Sequence, residues 1–219
     1  MIKVVIFDFD GVLVDSNQAW VELFNQASRE AGADRSFTFE DIRSQCGKPY
    51  MDVLNHAFPG IHNDSGALAA MYSNFLKIAK TDEFLASFRE IKGMKGSLRM
   101  LKRKFKLAVG SGNSRKLLNR FIYKLGFSKY FDLVVSSDDV SRGKPNPDMI
   151  LKVVRHFRVS PGEAVYVGDS CSDIIAAKRA NVRSVAVLSG ALSREQAEEL
   201  CPDFIVGDAT ELQELLSCM

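Results

Sequence analysis

Short apolar runs rich in β-branched residues alternate along this chain with longer stretches whose apolar positions recur at helical spacing. Val4 to Phe7, Leu107 to Val109, Leu133 to Val135, Val165 to Val167, Val185 to Leu188 and Phe204 to Val206 are nearly continuous apolar segments. Runs without polar alternation suit strands covered on both faces, as in a parallel sheet. Between them, Leu98 and Leu101 mark one helix, and Leu117, Leu118, Phe121, Ile122 and Leu125 a second. Ile150, Leu151, Val154 and Phe157 mark a third, and Ile174, Ile175 and Ala177 a fourth. Gly126 is placed to cap the second helix, and Pro147 suits the first position of the third. The alternation predicts an α/β fold, a doubly wound, Rossmann-like parallel sheet with right-handed crossovers.

The rhythm breaks once. Between Ser16 and Arg89 the pattern is helical throughout. Trp20, Leu23, Phe24 and Ala27 form one stripe behind a Ser16 cap, and Leu68, Tyr72, Phe75, Leu76 and Ala79 another. The stretch from Asp8 to the next strand near Lys106 is far too long for a single crossover helix. Residues 1–15 and 90–219 are therefore expected to form the α/β core, with 16–89 an inserted, all-helical cap domain.

The chain has 219 residues, enough for one large domain or a core with an insertion. At that size a core needs neither metal nor disulfide. With 29 basic and 27 acidic residues the net charge is +2, which makes no electrostatic case for nucleic acid or a membrane surface. The longest apolar runs fall far short of the roughly 20 residues of a membrane helix, and the start lacks a signal-peptide pattern. Cys46, Cys171, Cys201 and Cys218 show no zinc or redox spacing and are read as reduced thiols, so a cytoplasmic location is expected.

In an open α/β sheet, ligands sit beyond the carboxyl ends of the strands. Asp8-Phe9-Asp10-Gly11 follows the first run, and Ser111-Gly112-Asn113 the second. Gly143-Lys144-Pro145-Asn146-Pro147-Asp148 comes past the third, and Gly168-Asp169-Ser170-Cys171-Ser172-Asp173 after the fourth. Each piece alone has a plain reading: Ser111 as a turn hydroxyl, Lys144 as an exposed lysine, Asp173 as an acid opening a helix. Together they put carboxylates, a hydroxyl and a lysine on one edge, which is what phosphoryl transfer needs. Crowded carboxylates call for a divalent cation, and hard oxygen donors favour Mg2+. One aspartate can act as nucleophile and a second can handle the proton.

These residues carry a resemblance. Asp8 to Ser16 resembles the first motif of the haloacid dehalogenase superfamily, Ser111 the second, Lys144 to Asp148 the third, and Gly168 to Asp173 with Ile174, Ala176 and Ala177 the fourth. A helical insertion straight after the first motif is similar to the subclass that holds phosphoglycolate phosphatases and β-phosphoglucomutases. The resemblance implies that Asp8 is the nucleophile and Asp10 the acid/base. It implies Mg2+ held by Asp8, the Asp10 backbone, Asp169 and Asp173, the last directly or through water. It further implies phosphoryl contacts from Gly11, Ser111, Gly112 and Lys144, and substrate contacts from Asn113 and from Arg43, Gly47 and Lys48 in the insertion. The expected partner is a small phosphorylated metabolite, with no nucleic acid and no membrane, on a monomer or homodimer. Because Asp10 is present, a phosphatase is expected first, with a phosphomutase, a pyrophosphatase or a nucleotidase as alternatives.

Other classes fit less well. Gly110-Ser111-Gly112-Asn113-Ser114-Arg115 lacks the third glycine of a dinucleotide loop. His56, His62 and His156 lie in no motif, which argues against a serine-hydrolase triad, and no P-loop is present. A non-enzymatic binding module using the Lys102-Arg103-Lys104-Lys106 cluster is the remaining alternative, although a cationic helix end needs no partner.

Overall fold

The structure is a computed structural model, and it describes residues 1–30, 32, 36–43 and 65–217. Six parallel strands form the main sheet: β1 (Val4–Phe7), β4 (Lys106–Gly110), β5 (Leu133–Val135), β6 (Ala164–Gly168), β7 (Arg183–Val187) and β8 (Phe204–Val206). Their spatial order is β5-β4-β1-β6-β7-β8. β1 is central and wholly buried, and its residues alternate between the two layers. Val5 and Phe7 join one apolar cluster, Val4 and Ile6 the other. Both faces are covered, which is why these strands read as unbroken apolar runs.

The helices fall where the 3.6-residue spacing predicts them. α5 (Met94–Leu101), α6 (Arg115–Lys124), α7 (Asp148–Phe157) and α8 (Cys171–Arg179) belong to the main sheet, followed by α9 (Arg194–Glu199) and α10 (Leu212–Ser217). Gly126 takes a φ of +69° just past α6, and the Phe127 N–H reaches back 2.9 Å to the Ile122 carbonyl. Pro147 stands one residue earlier than expected, because its carbonyl already accepts from the Leu151 N–H at 2.9 Å and the helix proper opens at Asp148.

Between residues 16 and 89 the described helices are α1 (Asn17–Glu30), α2 (Phe39–Arg43), α3 (Ser65–Ile78) and α4 (Asp82–Ser87). Leu68 of the second apolar stripe has no described side chain. A two-residue antiparallel pair, β2 (Val14–Asp15) with β3 (Arg89–Glu90), pins the two ends of this stretch side by side. Strands this short show no alternation, so the sequence gives no sign of them. Trp20 stacks against Phe75 at 6.1 Å and meets Phe84 and Phe88 edge-on. Phe88 in turn lies 3.9 Å from Phe121 of α6, which ties the helical stretch to the main cluster. No described helix is long and apolar enough to cross a membrane.

Candidate active site

β1 lies between β4 and β6, so the chain winds away in opposite directions on its two sides and leaves a crevice beyond its carboxyl end. Asp8 is the first residue past β1, and its N–H is held by the Val167 carbonyl at 2.9 Å. Ser111 follows β4 and Asp169 follows β6 in the same layer. Asp173 is brought over them by a capping box: Ser170 donates to its Oδ2 from both N–H and hydroxyl while accepting from the Asp173 N–H.

Lys144 joins the carboxylates. Its Nζ stands 3.0 Å from Asp8 Oδ1 and 2.7 Å from Asp173 Oδ1, with the lysine only 3% exposed. The Tyr166 hydroxyl lies 3.0 Å from both Asp173 Oδ1 and the Gly110 carbonyl, close enough to donate to either. Asp8, Asp169 and Asp173 bring carboxylate oxygens within 4.8 Å of one another, the one such buried group among the described residues. Three hard-oxygen donors this close suit a divalent cation of the magnesium type.

Asp169 sits in a cradle built from absent side chains. A Cβ on Gly11 would come 2.2 Å from its Oδ2, and one on Gly190 would come 1.9 Å. That oxygen accepts the Ala191 N–H at 2.8 Å. Gly11 also takes a φ of +68°, a conformation few other residues tolerate. Its N–H donates to the Val14 carbonyl at 2.9 Å, which corrects the phosphoryl-contact role implied for it: that donor is used inside the loop, and the glycine supplies space instead.

A second group adjoins the first. Asp10 is half-buried; its Oδ1 accepts the Trp20 indole N–H at 2.8 Å and its Oδ2 accepts the Asn113 amide at 2.6 Å. The same Asn113 nitrogen is 3.2 Å from the Ser111 hydroxyl, so this side chain spans the space between Asp10 and Ser111. Gly112 is exposed beside them.

The electrostatics follow from burial. Loss of hydration raises the Asp8 carboxyl to about 7; Lys144 opposes the rise, and Asp173 and Asp10 add to it. Asp169 is held well above the ordinary carboxylate range by burial, then by the charges of Asp173 and Asp8. Asp10 is raised by burial, against the pull of its hydrogen-bond donors. Burial by itself would lower Lys144, but Asp173 and Asp8 outweigh it and keep the ammonium firmly protonated.

The structure therefore gathers Asp8, Asp10, Ser111, Asn113, Lys144, Asp169 and Asp173 at one crevice. Arg43 arrives at its edge, where Nε donates to the Ala191 carbonyl and the guanidinium pairs with Glu40 at 3.2 Å. Gly47 and Lys48 lie outside the described residues. Sequence reading missed Gly190, although polar Ser189-Gly190 closely follows a strand just as the four motifs do. It also passed over the Tyr166 hydroxyl inside an apolar run and read Trp20 as core.

Comparison with known proteins bears on this geometry. A family model described as haloacid dehalogenase-like hydrolase matches residues 5–187. The chain is 26% identical to pyrophosphatase PpaX of Oceanobacillus iheyensis, over 96% of this chain and 95% of that protein. A crystal structure of a HAD-superfamily hydrolase, subfamily IA, from Geobacter sulfurreducens superposes with a TM-score of 0.73 at 27% identity, covering 98% and 96% of the two chains. That of a predicted phosphoglycolate phosphatase from Haemophilus somnus superposes with a TM-score of 0.90 at 21% identity, over 98% of each chain, and speaks to the fold alone.

Proposed function

The chain belongs to the haloacid dehalogenase-like hydrolases, and from that premise we propose that it is a magnesium-dependent phosphatase acting on small phosphate monoesters through a phosphorylated Asp8. The observation that carries the reading is Lys144, buried between Asp8 and Asp173 with Asp169 alongside. One cation does not balance three ionised carboxylates, which is why Asp8 and Asp169 are raised, and a divalent cation would let all three be charged at once.

In this reading the Asp8 carboxylate attacks phosphorus while Asp10 delivers a proton to the departing oxygen. Asp10 then takes a proton from the water that frees phosphate from Asp8. Ser111 and Lys144 hold phosphoryl oxygens, and exposed Gly112 offers backbone beside them. Mg2+ among Asp8, Asp169 and the Asp10 carbonyl would offset carboxylate and phosphoryl charge alike. Asp173, whose oxygens already accept from Lys144 and Ser170, aims the lysine and supports the ion through water. The described helices between residues 16 and 89 serve as a cap over the crevice, with Arg43 at the rim.

A second reading, hydrolysis of a phosphoanhydride, is favoured by the named pyrophosphatase among the relatives. Phosphate release from a panel of 2-phosphoglycolate, pyrophosphate, sugar phosphates, nucleoside monophosphates and para-nitrophenyl phosphate separates the two. Magnesium-dependent turnover highest on a monoester is expected. Highest turnover on pyrophosphate would promote the second reading, and no turnover on any of them, with magnesium present, would remove both.

A further inference from the structure

We propose that Trp20 is the positioning residue for Asp10, fixing Oδ1 so that Oδ2 is the oxygen through which the proton passes to and from the reacting group. The proposal rests on the reading above that Asp10 is the acid/base, and adds to it a residue that lies on the helical stretch and not in any of the four motifs.

The two oxygens of Asp10 have different kinds of partner. Oδ2 accepts from Asn113, an amide that also contacts the Ser111 hydroxyl and so occupies the gap a phosphate ester must enter. That partner gives way when the ester arrives. Oδ1 accepts from the Trp20 indole N–H at 2.8 Å, and Trp20 has no freedom to leave. Its ring is fixed by Phe75 at 6.1 Å, Phe84 at 5.3 Å and Phe88 at 5.7 Å. Phe88 lies 3.9 Å from Phe121, and Phe121 stacks at 5.7 Å on Phe9, the residue between Asp8 and Asp10. One aromatic chain thus holds both the donor and the backbone of its acceptor. An indole nitrogen is donor only, so it can never take the proton from Oδ1. The carboxyl proton is left to Oδ2, on the side of Ser111.

The step balances. As the Asp8 oxygen bonds to phosphorus, the bond from phosphorus to the leaving oxygen breaks, and the Oδ2 proton goes to that oxygen. Asp10 is left as carboxylate and recovers a proton from the attacking water. Misdirecting Oδ2 weakens this transfer without touching the nucleophile, and small misplacements of a catalytic group are costly.

Leaving-group dependence distinguishes this role from plain packing. Nitrophenolate departs without a proton, whereas an alkoxide needs one. Trp20→Phe keeps an aromatic ring while deleting the N–H with the rest of the five-membered ring, so the single-turnover rate of leaving-group release from an alkyl phosphate that the protein turns over should fall about tenfold, in line with a lost hydrogen bond to a charged group. On para-nitrophenyl phosphate the single-turnover release of nitrophenolate, which precedes the water step common to both substrates, should change little, with KM and the magnesium requirement unchanged for both. Equal loss on the two substrates, or none, would overturn the proposal. Asp10→Asn run in parallel keeps the two readings apart. Equal loss there would strike at Asp10 as the acid; a selective loss there with none in Trp20→Phe would strike at Trp20 alone. Because Trp20 is the only tryptophan of the chain, its emission gives a check that leaves the residue in place. Asp10→Ala removes the acceptor and should shift the emission maximum; an unchanged spectrum would overturn the contact and the proposal with it.

Discussion

Gly190 and Asp169 are packed so closely that a methyl group on the glycine would lie 1.9 Å from Oδ2 of the carboxylate. Gly190 has no left-handed φ to defend, so alanine strains Asp169 and not the backbone. Gly190→Ala is expected to raise the magnesium concentration needed for half-maximal activity by about ten- to a hundredfold, the usual cost of displacing a residue that supports a metal ligand. Saturating magnesium should recover most of kcat. Gly162→Ala, where an added methyl meets nothing within 4 Å, serves as the neutral control. A magnesium titration of phosphate release checks both, and an unchanged requirement in Gly190→Ala would separate Asp169 from the metal.

Asp8→Asn is nearly the same shape as the native residue and keeps its place past β1, but it cannot become phosphorylated. Turnover is expected to drop by more than the roughly 10²–10⁴ that a missing acid/base costs, because the covalent route itself is lost. Phosphate release and mass spectrometry of protein quenched during turnover provide the check. Near-native activity in a folded Asp8→Asn would overturn the covalent reading.

Stability of the metal-free protein should depend on pH in a direction that the site dictates. The folded-state value of Asp8 is about 7 and that of Asp169 is well above the ordinary 3.8. Groups raised in this way contribute fully to stability below the unfolded value, and the contribution is lost as pH rises through the folded one. The depressed Glu163, at about 2 beside Lys3, acts only below 4.5 and leaves the neutral range alone. Without magnesium, Tm is therefore expected to be lower at about pH 8 than at about pH 6. Added magnesium should raise Tm more at the higher pH, since the ion binds charged carboxylates. Calorimetry with and without chelator measures both; equal magnesium shifts at the two pH values would sink this account.

The central sheet was legible because its middle strands are buried on both faces and its edge strands are apolar too, so that β1, β5 and β8 coincide with the apolar runs Val4 to Phe7, Leu133 to Val135 and Phe204 to Val206. Asp8, Asp10, Ser111, Lys144, Asp169 and Asp173 were legible because topology sends polar residues past strand ends to a common crevice. What escaped was three-dimensional in origin. No spacing announces that Trp20, on a helix outside the sheet, turns its N–H toward Asp10, since helical periodicity marks it only as apolar. The steric part of Gly11 and Gly190 depends on where Asp169 lies, and the sequence separates all three. Arg43 looked like a free cation for substrate, but its Nε meets the Ala191 carbonyl, a loop nearly 150 residues away.

Lys144 is the cation on which the metal-free site depends most. Its Nζ is 3.0 Å from Asp8 and 2.7 Å from Asp173, and all three residues are buried. Lys144→Met keeps most of the length and apolar stem while deleting the charge, so the loss is electrostatic and not a cavity. Removing one partner of a buried ion pair typically costs about 3–5 kcal/mol, because the other charge stays behind unpaired. Here two carboxylates stay behind. The variant should therefore be strongly destabilised without magnesium, as read by urea unfolding. Two conditions should restore part of the loss: magnesium, which supplies positive charge to the same carboxylates, and mild acid, which protonates Asp8 more readily once the lysine no longer opposes it. Activity should stay low in both, since neither returns the ammonium that holds the phosphoryl oxygens. A Lys144→Met protein as stable as the native one in chelator near pH 8 would mean that the carboxylates do not feel the lysine, and the charge argument for this site would fall with it.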